Sequence, residues 1–169
     1  MPLSPDDLFA KLAALGIRTT TVKHPPLFTV EQSKALRGEL PGGHTKNLFL
    51  KDKKDRMWLV TAEEERAIDL KALGAALGAS GRVSFGSPER LLRHLGVIPG
   101  AVTPFGLVND AERQVSFVLD AGLLRHDTLN FHPLTNEATT AIARDDFLRF
   151  LGAIGHAPRL LALPAKADA

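Results

Sequence analysis

Apolar residues along the first sixteen positions recur at the spacing of one helical face, with Leu8, Leu12 and Leu15 lying behind Ser4, Pro5 and Asp7 and ahead of Gly16. A capping side chain at the start and a glycine at the end bracket a helix, because the first satisfies orphan N–H groups and the second tolerates the left-handed turn that follows. The same punctuation predicts a helix from Thr29, with Gln32, to Gly38 and another from Asp69 to about Gly78. It predicts a further helix that opens on Ser87, Pro88 and Glu89 and carries Leu91, Leu92 and Leu95 before Gly96. Another spans Asp145 to Leu151. Strand patterns fall between these, at 18–23, 47–50, 57–61, 82–85, 115–119, 128–131, 138–142 and 160–163. The second and third are joined by Lys51-Asp52-Lys53-Lys54-Asp55, too short for a parallel crossover, so they form an antiparallel hairpin. Helix and strand are mixed throughout. The expected fold is α/β of the α+β type: a central mixed, largely antiparallel sheet that can curl toward a barrel, with helices around it.

The 169 residues are 44% hydrophobic and 24% charged, which excludes disorder, collagen and coiled coil and fits one domain over 1–163 with a frayed tail at 164–169. Cysteine is absent, so thiol catalysis, zinc–thiolate sites and disulfides are excluded. The N-terminus carries Asp6 and Asp7 and lacks both a basic leader and a long apolar run, so it does not read as a signal peptide, and a cytoplasmic location is expected. No stretch reaches the roughly 20 apolar residues of a membrane span. The net charge of +2 neither demands nor forbids a nucleic-acid partner.

Familiar catalytic signatures are missing. Ser84 in Gly81-Arg-Val-Ser-Phe-Gly86 has one residue too many for a nucleophile elbow, and no dinucleotide fingerprint occurs. The six histidines show no metal-binding spacing, so neither metal nor cofactor is expected. Gly38-Glu-Leu-Pro-Gly-Gly43 imitates a phosphate loop, but His44 stands where lysine is required, and the order is helix, loop, strand. Glu63-Glu64-Glu65 is a run of three carboxylates after a strand, compatible with a metal or acid–base role but read on base rates as a solvated turn.

Three segments place polar groups and glycine where core building would not ask for them: 42–50 (Gly-Gly-His-Thr-Lys-Asn-Leu-Phe-Leu), 96–107 (with Pro99, Gly100 and Pro104-Phe-Gly-Leu) and 130–140 (Asn-Phe-His-Pro-Leu-Thr-Asn and onward). In this order and at this spacing, with Lys23-His24-Pro25-Pro26 before them, they resemble the YbaK-like superfamily: the editing domain of bacterial prolyl-tRNA synthetases and its freestanding relatives. The nearest resemblance is to the single-domain alanyl-tRNA(Pro) deacylases. It implies a mixed sheet, no metal, and a pocket for the acceptor end of tRNA(Pro) with its attached amino acid. It further implies Lys46 as the principal polar residue, the 96–102 loop as a pocket wall and His132 near the amino-acid side chain. The synthetase domain often carries a histidine near the end of this loop, whereas here Pro99 is followed by Gly100 and Ala101.

The chemistry fits the residues. An aminoacyl-tRNA is an activated ester, so hydrolysis needs a positioned water, oxyanion stabilisation and a selective pocket, with no protein nucleophile. Lys46 is the candidate for positive charge at the reacting ester, and Asn47 or backbone N–H groups at Gly100 and Ala101 are candidate donors. Leu36, Val97, Ile98 and Val102 are candidates to limit pocket size, rejecting the larger proline by steric exclusion. Arg82, Arg90 and Arg93 are candidates to touch the RNA backbone. A cysteinyl-tRNA(Pro) deacylase and a non-catalytic module that binds tRNA or a synthetase are the alternatives, and prolyl-tRNA synthetase is a candidate partner.

Overall fold

The computed structural model describes residues 2–26 and 41–163, so the helix expected at Thr29 to Gly38, the pocket candidate Leu36 and the tail 164–169 lie outside the described residues. Chain order is α1 (Pro5–Ala14), β1 (Thr19–Lys23), β2 (Gly43–Lys51), β3 (Met57–Glu63), α2 (Leu70–Leu77), β4 (Ser84–Phe85), α3 (Pro88–Leu95), β5 (Val115–Asp120), β6 (Thr128–Phe131), β7 (Ala138–Ala143), α4 (Arg144–Ala153) and β8 (Arg159–Leu161). Short 3-10 helices over Pro104–Asn109 and Ala121–Arg125 flank β5.

The helix ends follow their caps. Ser4 and Asp7 form a reciprocal capping box at α1, Asp69 accepts from Lys71 and Ala72 at α2, and Ser87 accepts from Arg90 at α3. Gly78 and Gly96 close α2 and α3 in the left-handed region, at φ 76° and 68°.

The sheet runs β1-β7-β6-β2-β3-β5-β8, with β4 also on β2. β1–β7, β6–β7, β2–β3 and β2–β4 are antiparallel, whereas β2–β6, β3–β5 and β5–β8 are parallel. The path is open, with β1 and β8 at its ends. β2 is shared between the two halves: Gly43 and His44 pair with β6, and residues 45–51 pair with β3.

Alternation along β2 sends its side chains to two cores. Phe49 joins the main cluster with Leu8, Leu12, Leu91, Leu95, Phe105 and Phe147, while Leu50 joins Trp58, Val60, Leu73 and Leu77 in a second. α1, α3 and α4 thus cover one face and α2 the other. β3 serves both clusters and is buried from Met57 to Ala62, as a central strand should be. Phe105 anchors the main core, meeting Phe131 and Phe150 edge-on at centroid distances of 5.6 and 5.5 Å. No helix among the described residues is long and apolar enough to cross a membrane.

Candidate functional site

The strand register decides which polar groups meet. His44 is opposite Asn130 in the β2–β6 pair, Asn130 is opposite Ala141 in β6–β7, and Val22 is opposite Thr139 in β1–β7. Leu129, Phe131 and Ile142 on these strands turn into the main core, so the intervening positions occupy the other face. Continuing the alternation, Lys46 follows His44, His132 follows Asn130 and His24 follows Val22. Residues far apart in the chain are thereby gathered on one surface.

Lys46 is half-buried within β2, opposite Ala62, and its Nζ donates to the carbonyl of Arg66. Burial lowers its pKa; the Glu64 carboxylate opposes that shift and the Arg66 guanidinium adds to it. Arg66 is itself fixed. Its Nε lies 2.9 Å from Oδ2 of the buried Asp120, and its N–H donates to the Glu63 carbonyl.

His132 donates from Nδ1 to the carbonyl of Ala138 at 3.0 Å, which sets the neutral ring in the Nδ1–H tautomer and leaves Nε2 as an acceptor. Burial holds its pKa below the usual histidine value, against the Ala138 hydrogen bond, with His24 lowering and Glu64 raising it. His24 stands beside it, with ring centroids 6.4 Å apart. Nδ1 of His24 donates to the Pro25 carbonyl, so the Thr139 hydroxyl, 2.8 Å from Nε2, is the donor in that contact. Glu64 acts on both Lys46 and His132, and its backbone N–H is tied to the His44 carbonyl at 2.9 Å. A cleft of about 180 Å³ flanks the strand, lined by Gly42, Gly43, His44, Glu63 to Glu65, Arg125 and His126.

The other expected residues divide. Pro99 and Gly100 are exposed in a turn closed by the Ala101 N–H donating to Ile98 O, and a Cβ on Gly100 would lie 3.6 Å from Asn136 Nδ2. The loop therefore reaches the segment that carries His132. The Ala101 N–H is already committed to that turn, and the Ala101 side chain is buried in the main core together with Val97. Val102 packs half-buried against that core, whereas Ile98 is 56% exposed. Asn47 faces away from Lys46 and accepts a hydrogen bond from the Thr61 hydroxyl.

Sequence reasoning assigned no role to His24, Glu64, Thr139, Arg66 or Asp120. In the run Glu63 to Glu65, Glu63 ends β3 and pairs with Arg125 at 2.9 Å, while Glu64 and Glu65 form the turn that follows, from which Glu64 acts on Lys46. A carboxylate directly after a central strand was the available signal. Among the described residues, no group of three or more His, Asp or Glu could hold a metal ion.

Residues 24–150 match the family model described as the aminoacyl-tRNA editing domain. The chain is 44% identical over 159 residues to prolyl-tRNA synthetase associated domain-containing protein 1 of Mus musculus, covering 92% of this chain and 94% of the relative. It is 35% identical over 157 residues to the prolyl-tRNA editing protein ProX of Acetoanaerobium sticklandii, covering 92% and 95%. A solved structure described as a candidate trans-editing enzyme for prolyl-tRNA synthetase superposes with a TM-score of 0.69 at 20% identity, covering 98% of this chain and 99% of that one.

Proposed function

The chain belongs to the aminoacyl-tRNA editing domain family, and from that premise we propose that it hydrolyses mischarged tRNA(Pro), with the alanyl ester as its substrate. The observation that carries this reading is that Lys46 and His132 share one sheet face, with Glu64 in the turn after β3 acting on both and the Gly100 loop reaching Asn136 in the segment that carries His132. Water attacks the ester carbonyl, the bond to the terminal ribose oxygen breaks, and that oxygen takes up a proton as the amino acid leaves. Lys46 supplies positive charge at the ester or its adjoining phosphate, where a desolvated cation acts more strongly than in water. His132, held neutral with Nδ1–H committed, offers Nε2 to orient the water or the substrate amino group. No covalent enzyme intermediate is needed, in keeping with a chain that has no cysteine. Alanine is admitted and proline refused by size, since a pocket excludes a larger residue more sharply than it rejects a smaller one.

Prolyl-tRNA synthetase is the proposed partner, a reading supported by the names of the animal relatives. The test is release of amino acid from alanyl-, cysteinyl- and prolyl-tRNA(Pro) at low ionic strength by the wild type and Lys46→Ala. Alanine release by the wild type, and none by the variant, is expected. Cysteine release alone would move the substrate, and binding without any turnover would make the protein a recognition module.

A further inference from the structure

The tip of the β2–β3 hairpin carries an unusual concentration of charge. Residues 51–56 and 78–90 hold Lys51, Lys53, Lys54, Arg56, Arg82 and Arg90 against Asp52, Asp55 and Glu89, a net +3 where the whole chain has +2. The fold brings these two stretches together. Lys51 is opposite Ser84 in the β2–β4 pair, the Lys53 N–H donates to the Ser80 carbonyl at 3.3 Å, and Arg90 meets Asp55 at 2.9 Å.

Of the three acidic groups, Asp52 is buried, Asp55 is paired, and Glu89 is exposed in the first turn of α3. Asp52 is 1% exposed and turned inward, where it accepts from the N–H groups of Lys54, Arg56 and Ser80 and from Arg56 Nε. Asp55 is bracketed by Lys51 at 3.7 Å and by Arg90. Lys53, Lys54 and Arg82 are exposed, and none has an ion pair among the described residues. Beside them on β4, Phe85 is 60% exposed although strand pairing holds its backbone against Leu50. Among the described residues, Phe85 is the one exposed aromatic among the large apolar side chains open to solvent, and it lies next to this lysine-rich tip. Cations around an open aromatic face are the elements with which proteins hold RNA: phosphates on the cations, an unstacked base on the ring.

We propose that this tip is an RNA-binding surface, with Lys53, Lys54 and Arg82 on phosphates and Phe85 on a base. The proposal rests on the editing reading for the identity of the RNA, which is the arm adjoining the aminoacylated end. The placement suits that role. Lys51 lies five residues along β2 from Lys46, about 16 Å on an extended strand, so RNA whose end enters the site can cross the tip. Reaction and recognition are then served by opposite ends of one strand.

The test joins deacylation kinetics with anisotropy binding of a fluorescein-labelled, uncharged minihelix of the tRNA(Pro) acceptor arm, each over a salt series. Lys53→Glu/Lys54→Glu/Arg82→Glu should raise Kd and KM at least tenfold, leave kcat within twofold, and flatten the slope of log affinity against log salt by about two units, since each phosphate contact contributes about 0.7–0.9. Phe85→Ala should weaken binding about fivefold or more, the lower end of what base stacking supplies. The variant Lys53→Arg/Lys54→Arg should bind as wild type, and thermal melts verify that all variants are folded. Wild-type Kd, KM and salt slope in the triple variant would overturn the surface while leaving the editing reading intact. Patch-dependent binding by a wild type that hydrolyses no ester would overturn the editing reading and leave the surface standing.

Discussion

Asp120→Asn tests how the fold holds Lys46. Asp120 ends β5 with a side chain 1% exposed; Oδ1 accepts from the Gly122 N–H at 3.1 Å, and Oδ2 lies 2.9 Å from Arg66 Nε. The substitution keeps shape and the Gly122 hydrogen bond, but it turns an amide NH2 toward a guanidinium and leaves Arg66 without its counter-charge. Breaking a wholly buried pair costs about 3–5 kcal/mol. Arg66 retains 29% exposure, so water compensates part of the loss and the expected cost is about 2–3 kcal/mol. At about 2–4 °C per kcal/mol for a chain of this size, the melting temperature should fall by about 4–12 °C.

The second consequence is chemical. The Arg66 carbonyl receives the Lys46 ammonium, so freeing the Arg66 side chain loosens the turn that holds the lysine. Misplacement of a reacting group by about 1 Å can cost about a hundredfold in rate, and a fall in kcat of at least tenfold is expected at a temperature where the variant remains folded. Calorimetry and single-turnover deacylation measure the two effects separately. A melting temperature within 2 °C of wild type together with an unchanged rate would refute the reasoning. A loss of stability with the rate intact would break the link from Asp120 to Lys46.

Gly42→Ala should destabilise by about 2–4 kcal/mol in urea unfolding, because φ is 102° and the new Cβ would lie 2.6 Å from the Thr128 carbonyl oxygen; an unchanged midpoint would contradict that geometry. Burial alone would raise the Asp52 pKa, but hydrogen bonds from Ser80, Arg56 and Lys54 outweigh it and hold the group at about 2. Its folded value is below the unfolded one of about 3.9, so its contribution is complete above pH 4 and is lost as pH falls from about 4 toward 2. Wild type should therefore lose more stability than Asp52→Asn over that window, and parallel urea midpoints would count against it. Long-range nitrogen–proton spectra should show His132 as the Nδ1–H tautomer with a midpoint below 6.5, and an Nε2–H signal would exclude the assigned hydrogen bond.

The helix ends were legible because capping is local: Ser4, Asp69 and Ser87 act on N–H groups two or three residues away. The start of β2 was not. The sequence pattern begins a strand at Asn47, but the strand starts at Gly43, since 43–46 has no apolar alternation and owes its pairing to β6, more than 80 residues downstream. The same distance hid Glu64, whose effect on His132 depends on strands that become neighbours only in the folded sheet. Lys46 and Asn47 looked like neighbours in one site, yet consecutive strand residues face opposite sides, and that much could have been read from the period of two. Val97 was named as an apolar pocket candidate and Ala101 as a backbone donor, whereas both side chains are buried with the main core, a placement that depends on contacts between segments distant in the chain.

The join between β2 and β6 explains why the motif around Lys46 has its composition. Only Gly43 and His44 pair with β6, a short ladder for the seam between two halves of a sheet. Side chains reinforce it: Asn130 Nδ2 donates to the carbonyls of Pro41 and Gly43, and the Thr45 hydroxyl donates to the Asn130 carbonyl. Strands this close leave no room for Cβ atoms. One on Gly42 would strike Thr128, and one on Gly43 would come within 2.6 Å of the His126 ring. Gly-Gly-His-Thr-Lys therefore combines two functions. Its glycines and threonine allow β2 to meet the strand leading to His132, and its lysine is carried by that meeting onto the face His132 occupies. A glycine pair before a lysine suggests a loop that cradles a ligand, but here the close approach is between two strands, and Lys46 and His132 share a face because of it.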